Sequence, residues 1–189
     1  MILLSAPVKK PFLTTRELCY TALGAALTAI CAWISIPAQV PFTLQTFAVF
    51  LVTGLLGIKC GTISVIVYLL LGAVGLPVFA GFKGGVGVLF GVTGGYLIGF
   101  LLTALAVGII TKHFGRSLPV LIAAMVLGLI LCYAFGSLWF LTLYTKNTGP
   151  ITVGGVLGMC VLPFLPVDGV KILLAAFLTR RLERFVKPA

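Results

Sequence analysis

Asp168 and Lys171 stand three residues apart inside LPFLPVDGVKILLAAFLT (162–179), a stretch otherwise suited to hydrocarbon. Residues at that spacing share one face of a helix. An ionised carboxylate only accepts hydrogen bonds and an ammonium only donates them. Such a pair can hold a small polar solute, or it can neutralise itself and brace two helices. A charge at the bilayer centre costs about 2.5–3.5 kcal/mol on insertion scales, so an intramembrane ionisable residue is a functional candidate by default. The chain has three acidic residues, and the other two, Glu17 and Glu183, flank the apolar spans. Asp168 is therefore the one carboxylate that requires a reason for being within a span.

A second candidate is the segment GLPVFAGFKGGVGVLFGVTGGYLIGF (75–100). Gly81, Gly84, Gly85 and Gly87 permit tight turns and close backbone approach, and Phe79, Phe82 and Phe90 offer flat apolar walls of the kind that line small-molecule pockets. The same glycines also suit a packing loop, and Gly91, Gly94, Gly95 and Gly99 suit close helix contacts. In the loop IPAQVPFTLQTF (36–47), Gln45 can donate to and accept from a ligand, or equally satisfy loop backbone, and Gln39, Thr43 and Thr46 lie beside it.

Catalytic and metal chemistry find no support. Cys19, Cys31, Cys60, Cys132 and Cys160 form no CxxC pair and His113 stands alone, so no metal site or disulfide framework is legible. GFKGGVG lacks the GK[ST] ending of a phosphate loop. The expectation is a protein that is not an enzyme, holds no cofactor, and relies on a partner for any use of ATP.

The elements that must position these residues are membrane helices. Of the 189 residues 61% are hydrophobic and 8% charged, against about 45–50% and about 25% in a soluble domain. Six apolar segments stand out: 18–36, 42–58, 62–76, 86–111, 118–143, and 151–179, the last interrupted by Pro163 and Pro166. About 20 residues cross the hydrocarbon, so the second and third are marginal. With both termini inside, Lys9, Lys10, Arg16, Lys59, Lys112, Arg116, Arg180, Arg181, Arg184 and Lys187 fall on the inner side and only Lys83 and Lys146 on the outer, as the positive-inside rule requires. The net charge of +10 thus follows membrane topology and not a nucleic-acid face. The first apolar run is read as a retained span and not a cleaved leader. The expected protein is all-α and polytopic, a bundle of six transmembrane helices with cytoplasmic termini. It is expected to form one domain (1–189), with residues 1–15 a short cytoplasmic segment, in a cell membrane.

Asp168 lies twelve residues before Arg180, roughly 18 Å along a helix, which places it in the outer half of the bilayer. Pro163, Pro166 and Gly169 disturb the helix there, and broken helix is tolerated in a membrane where it lines a cavity. A polar cavity in the outer half of the bundle is the resulting expectation. In the first span, Ala22 and Ala26 make a small-xxx-small face for close helix approach.

Taken in order, PFTLQT (41–46), GTISV (61–65), the glycine-rich block 69–100 and PFLPVDGVKILLA (163–175) resemble the BioY family, the biotin-specific substrate-binding subunits of energy-coupling-factor (ECF) transporters. The likeness extends from Arg16 to Arg184. Val92 departs from it, since members often carry Pro there. The resemblance implies high-affinity biotin binding near the outer surface, with Asp168 and Lys171 in the family's PxDxxK. It adds Gln45 and Tyr96 as further biotin contacts; Phe79, Lys83 and Gly84 of the glycine-rich block are candidates beside them, and at the place of Lys83 the family also carries small polar residues. Ala22 and Ala26 would dock onto the transmembrane component of a coupling module that also carries two ATPase subunits.

Biotin brings ureido N–H donors, a ureido carbonyl, an apolar bicycle and a carboxylate tail. Asp168 would take an N–H. Lys171 would meet either the carbonyl or the carboxylate, with Lys83 a second candidate for the carboxylate. Phe79, Phe82 or Phe90 would wall the bicycle. The rival readings are a subunit for another vitamin, a stand-alone ion-coupled carrier in which Asp168 titrates, and an intramembrane enzyme. The carrier is disfavoured by a single intramembrane carboxylate and no evident inverted repeat, the enzyme by the absence of a nucleophile–base set.

Overall fold

The computed structural model describes residues 12–38 and 40–186. Lys9, Lys10, Gln39 and Lys187 lie outside the described residues. In chain order the elements are α1 (Thr15–Trp33), a two-residue antiparallel hairpin β1 (Ser35–Ile36) and β2 (Phe42–Thr43), α2 (Gln45–Ala73), a 3-10 turn (Ala80–Phe82), α3 (Val86–Leu89), α4 (Gly94–Phe114), α5 (Leu118–Asn147), α6 (Val153–Cys160) and α7 (Leu165–Leu182). The protein is a multi-pass helical bundle. By length and hydropathy α4 and α5 can each cross a bilayer, and α6 with α7, bent by 50°, are together long and apolar enough for one span.

α2 contains both the second and the third expected spans. Gly57 adopts φ 78°, ψ −175° and the chain doubles back. Gln45 and Tyr68 are hydrogen-bonded, although 23 residues of straight helix would separate them by about 35 Å. A Cβ on Gly61 would lie 2.7 Å from the Thr53 Cα, so the two arms pack backbone to backbone. The arms, 45–56 and 58–73, reach only about 18 and 24 Å at 1.5 Å per residue, short of the roughly 30 Å hydrocarbon core. Only glycine adopts the Gly57 conformation without strain. Gly57→Ala is expected to cost about 1–3 kcal/mol, read as a lowered thermal-unfolding midpoint in detergent.

α4 and α5 are antiparallel, joined through Gly115 (φ 82°). Small residues alternate between them: Gly99 faces Cys132 and Gly128 faces Thr103. The Thr103 hydroxyl donates to the Gly128 carbonyl at 2.9 Å. α1 seats Gly24 against Val52 and Ser64 and buries Ala25, Ala29 and Ala32. Ala22 and Ala26 take no part in that packing; they are exposed on the outer side of α1.

The end of the bundle away from Asp168 is basic. Thr14 and Glu17 form a capping box at the start of α1, and Glu17 pairs with Lys59 beside the Gly57 turn at 3.1 Å. The Arg116 guanidinium donates to the Leu55 carbonyl at 3.0 Å, closing the first arm of α2. Arg180 pairs with Glu183. Each of the chain's three acidic residues therefore has a basic partner, and only Asp168–Lys171 is buried among helices.

Two expected spans divide differently. The fourth, expected over 86–111, is split by 90–93 into α3 and α4. In the sixth, the break is confined to 161–164. Pro166 falls in the first turn of α7, where its missing N–H costs nothing, and Gly169 is helical. The expectation that both disturb the helix is corrected.

Candidate functional site

The helix break brings Asp168 into the first turn of α7, the end of the helix at which the backbone dipole favours an anion. Asp168 is 1% exposed and Lys171, one turn later, 5%. Lys171 Nζ donates to Asp168 Oδ1 at 2.7 Å, to the Thr43 carbonyl at 2.6 Å and to Thr46 Oγ1 at 3.1 Å. Thr46 Oγ1 donates in turn to Oδ1 at 3.0 Å, and the Tyr133 hydroxyl donates to Oδ2 at 2.5 Å. The network joins α7 to β2, α2 and α5.

Counting donors and acceptors separates the two charges. An ammonium has three protons, and all three are engaged here. A carboxylate has about four acceptor sites. Oδ1 receives two bonds and Oδ2 one, so Oδ2 retains an open site. Asp168 can accept from a ligand without losing a partner; Lys171 cannot donate to one without giving up Thr43, Thr46 or Asp168.

The pair forms one wall of a cavity of about 350 Å³, within the roughly 300–1,000 Å³ of small-molecule sites. The β1–β2 hairpin, the 76–83 loop, α4 and α5 supply the other walls. Phe42 stacks on Phe164, with centroids 4.0 Å apart, tying the hairpin to the start of α7.

The expected site residues fall in three groups. Asp168, Lys171, Gln45, Lys83, Tyr96 and Phe79 all line the cavity. The Gln45 amide donates to the Tyr68 hydroxyl and accepts from Thr43 Oγ1 at 3.0 Å, which leaves one donor and one acceptor position open. The Tyr96 hydroxyl bonds Ser137 at 3.1 Å. Phe79 fills a notch at Gly72, where a Cβ would overlap its ring, and meets Tyr68 edge-on at 5.5 Å. The Lys83 side chain has no ion-pair or hydrogen-bond partner among the described residues. Gly84 stands behind the wall, its Cα against the Leu76 carbonyl. Phe82 and Phe90 are not among the lining residues. Ala22 and Ala26 lie apart, on the outer face of α1.

Two residues the sequence did not single out, Tyr133 and Tyr68, complete the arrangement: Tyr133 holds Asp168 together with Thr46, and Tyr68 holds Gln45. Tyr133 carried one faint signal, a lone phenol in the apolar run GLILCYAFG.

The chain matches the family model described as BioY family over residues 6–188. It is 44% identical over 171 residues to the biotin transporter BioY of Thermotoga maritima, covering 89% of this chain and 96% of that protein. It is 38% identical over 169 residues to the probable biotin transporter BioY of Pyrococcus horikoshii, again covering 89% and 96%. Among solved structures it is similar to the S-component for biotin from an ECF-type ABC transporter, with a TM-score of 0.81 and 29% identity over 91% of this chain and 95% of that one.

Proposed function

The chain belongs to the BioY family, and from that premise we propose that it captures biotin in the cavity beside Asp168 and passes it to an ATP-driven coupling module. It is the membrane-embedded S component and performs no covalent chemistry of its own. The observation that carries the reading is the asymmetry of the charges: a buried carboxylate with one open acceptor site, and at the rim a lysine without a partner among the described residues.

Biotin fits that asymmetry. A ureido N–H fills the open site on Asp168 Oδ2, while Tyr133 and Lys171 hold the carboxylate in place. Phe79 lies against the apolar bicycle, and the free donor and acceptor of Gln45 together with the Tyr96 hydroxyl meet the remaining polar atoms of the ring. Gly84 contributes by letting the 76–85 backbone close tightly behind the wall. Lys83 receives the carboxylate tail as a charge-assisted contact. Lys171 is then an orienting residue and Lys83 the one that meets the anion.

The cavity end faces out and the basic end, with Lys59, Arg116 and Arg180, faces the cytoplasm of a bacterial cell, as do both termini. The exposed Ala22–Ala26 face of α1 docks onto the transmembrane component of the coupling module, whose two ATPase subunits supply the energy. Residues 1–189 act as one membrane domain whose first part, 1–15, is a short cytoplasmic segment.

Titration of the purified chain with biotin tests the reading; affinity no better than micromolar overturns it. Lys83→Gln tests the division of roles. A hydrogen bond to a charged group contributes about 1.5–3 kcal/mol, so biotin should bind roughly 10–100-fold more weakly and biotinamide, which lacks the carboxylate, about as before. Unchanged biotin affinity, or equal losses for both ligands, would mean that Lys83 does not meet the carboxylate.

A further inference from the structure

We infer that Trp33 is a positioning residue for the cavity, a latch that fixes its lip to the end of α1. The inference rests on the biotin reading of the same cavity. Trp33 is the last residue of α1. Its indole N–H donates to the Pro77 carbonyl at 2.8 Å, and its ring stacks on Phe82 with centroids 5.3 Å apart and planes 21° from parallel. One side chain thus holds the 76–83 loop at two points. An interfacial tryptophan often serves only as a membrane anchor, but such an anchor needs neither contact.

The loop needs holding. Among the described residues Phe82 alone combines a side chain with a positive φ, 57°, directly after Gly81 at 69°. A bulky residue in the left-handed region is strained and persists where its surroundings fix it. Phe82 is 63% exposed, so burial does not fix it, and the stack on Trp33 is the contact that does. The consequence reaches the cavity through a short closed loop. The Phe79 N–H donates to the Lys83 carbonyl at 2.9 Å, so residues 79–83 move as one piece. Ala80, Gly81 and Lys83 of that piece line the cavity, while Phe82 points away to α1. Releasing Phe82 frees the backbone that carries Lys83.

A lip held less firmly admits ligand as readily and retains it less well. Trp33→Ala in the full chain should raise the biotin dissociation rate tenfold or more, with the association rate within about threefold. Phe82→Ala should do the same, and the double variant should be no worse than the more affected single one, since either removes the same contact. Trp33→Phe keeps a ring for the stack and should fall between. Dissociation within twofold of wild type in both single variants, or additive effects in the double, overturns the latch. Amide hydrogen exchange of ligand-free protein separates this from the biotin reading. Exchange at Phe79 and Gly85 should quicken in Trp33→Ala and Phe82→Ala whether or not biotin is the ligand, and unchanged exchange overturns the latch even where biotin binds. Phe82→Ala alters an exposed side chain, so the test stands if Trp33→Ala fails to fold.

Discussion

Asp168→Asn is expected to weaken biotin binding at least a hundredfold, which corresponds to about 2.7 kcal/mol. The substitution keeps the shape and removes the charge. It also turns one carboxylate oxygen into a donor. Tyr133 donates to Oδ2 and Lys171 and Thr46 to Oδ1, so a new N–H₂ group faces another donor on either side, and the open acceptor site is lost if it falls at Oδ2. Lys171, 5% exposed, is left without its counter-ion. Breaking a buried pair by removing one partner costs about 3–5 kcal/mol because it leaves an uncompensated buried charge, and removing the second charge relieves that cost. The variant Asp168→Asn/Lys171→Met should therefore recover much of the thermal stability lost in Asp168→Asn and none of the biotin affinity. Calorimetric titration and thermal unfolding of the same three proteins decide the matter. Biotin affinity that survives Asp168→Asn, or returns in the double variant, would show that the pair only braces the bundle.

That pair was legible because its information is local. Residues three apart on a helix share a face whatever surrounds them, and a carboxylate in an apolar run is conspicuous by type. Its partners were not legible for the opposite reason. Tyr133 and Thr46 lie 35 and 122 residues from Asp168, and neither interrupts any pattern in its own segment. The same division holds for the fold. Apolar run length located the helices, and basic residues at one end marked their alternation. Gly57 looked like any other membrane glycine, yet its φ and ψ turn one continuous helical stretch into two arms, and Gly61 within GTISV lets those arms touch at Thr53. The β1–β2 hairpin was invisible because two-residue strands leave no periodicity. The lysines were legible as a set but not as individuals: the sequence left open which one meets a carboxylate, and only the count of donors distinguishes Lys171, fully engaged, from Lys83.

The notch behind Phe79 is the second place where a single atom should matter greatly. Gly72→Ala is expected to reduce biotin affinity by roughly 30-fold or more and to destabilise the chain by about 1–3 kcal/mol, the usual cost of overpacking. A Cβ at Gly72 would occupy the space of the Phe79 ring. Phe79 is 1% exposed and closed in by Tyr68, so the ring cannot slide sideways within its slot and must shift toward the cavity it lines. Gly72 also accepts the Gly85 N–H through its carbonyl at 2.7 Å, so its own backbone is pinned and cannot retreat. The shift would carry to Tyr68 and through it to Gln45, which disturbs two walls with one methyl group. Phe79→Leu alone should cost affinity through the lost ring, but combined with Gly72→Ala it frees the contested volume. The double variant should then be more stable than Gly72→Ala alone, a coupling that independent sites do not show. Thermal unfolding and biotin titration of the four proteins measure it. Affinity within threefold of wild type in Gly72→Ala would mean that Phe79 finds another rotamer at no cost to the cavity, and that the notch at Gly72 does not set the Phe79 wall.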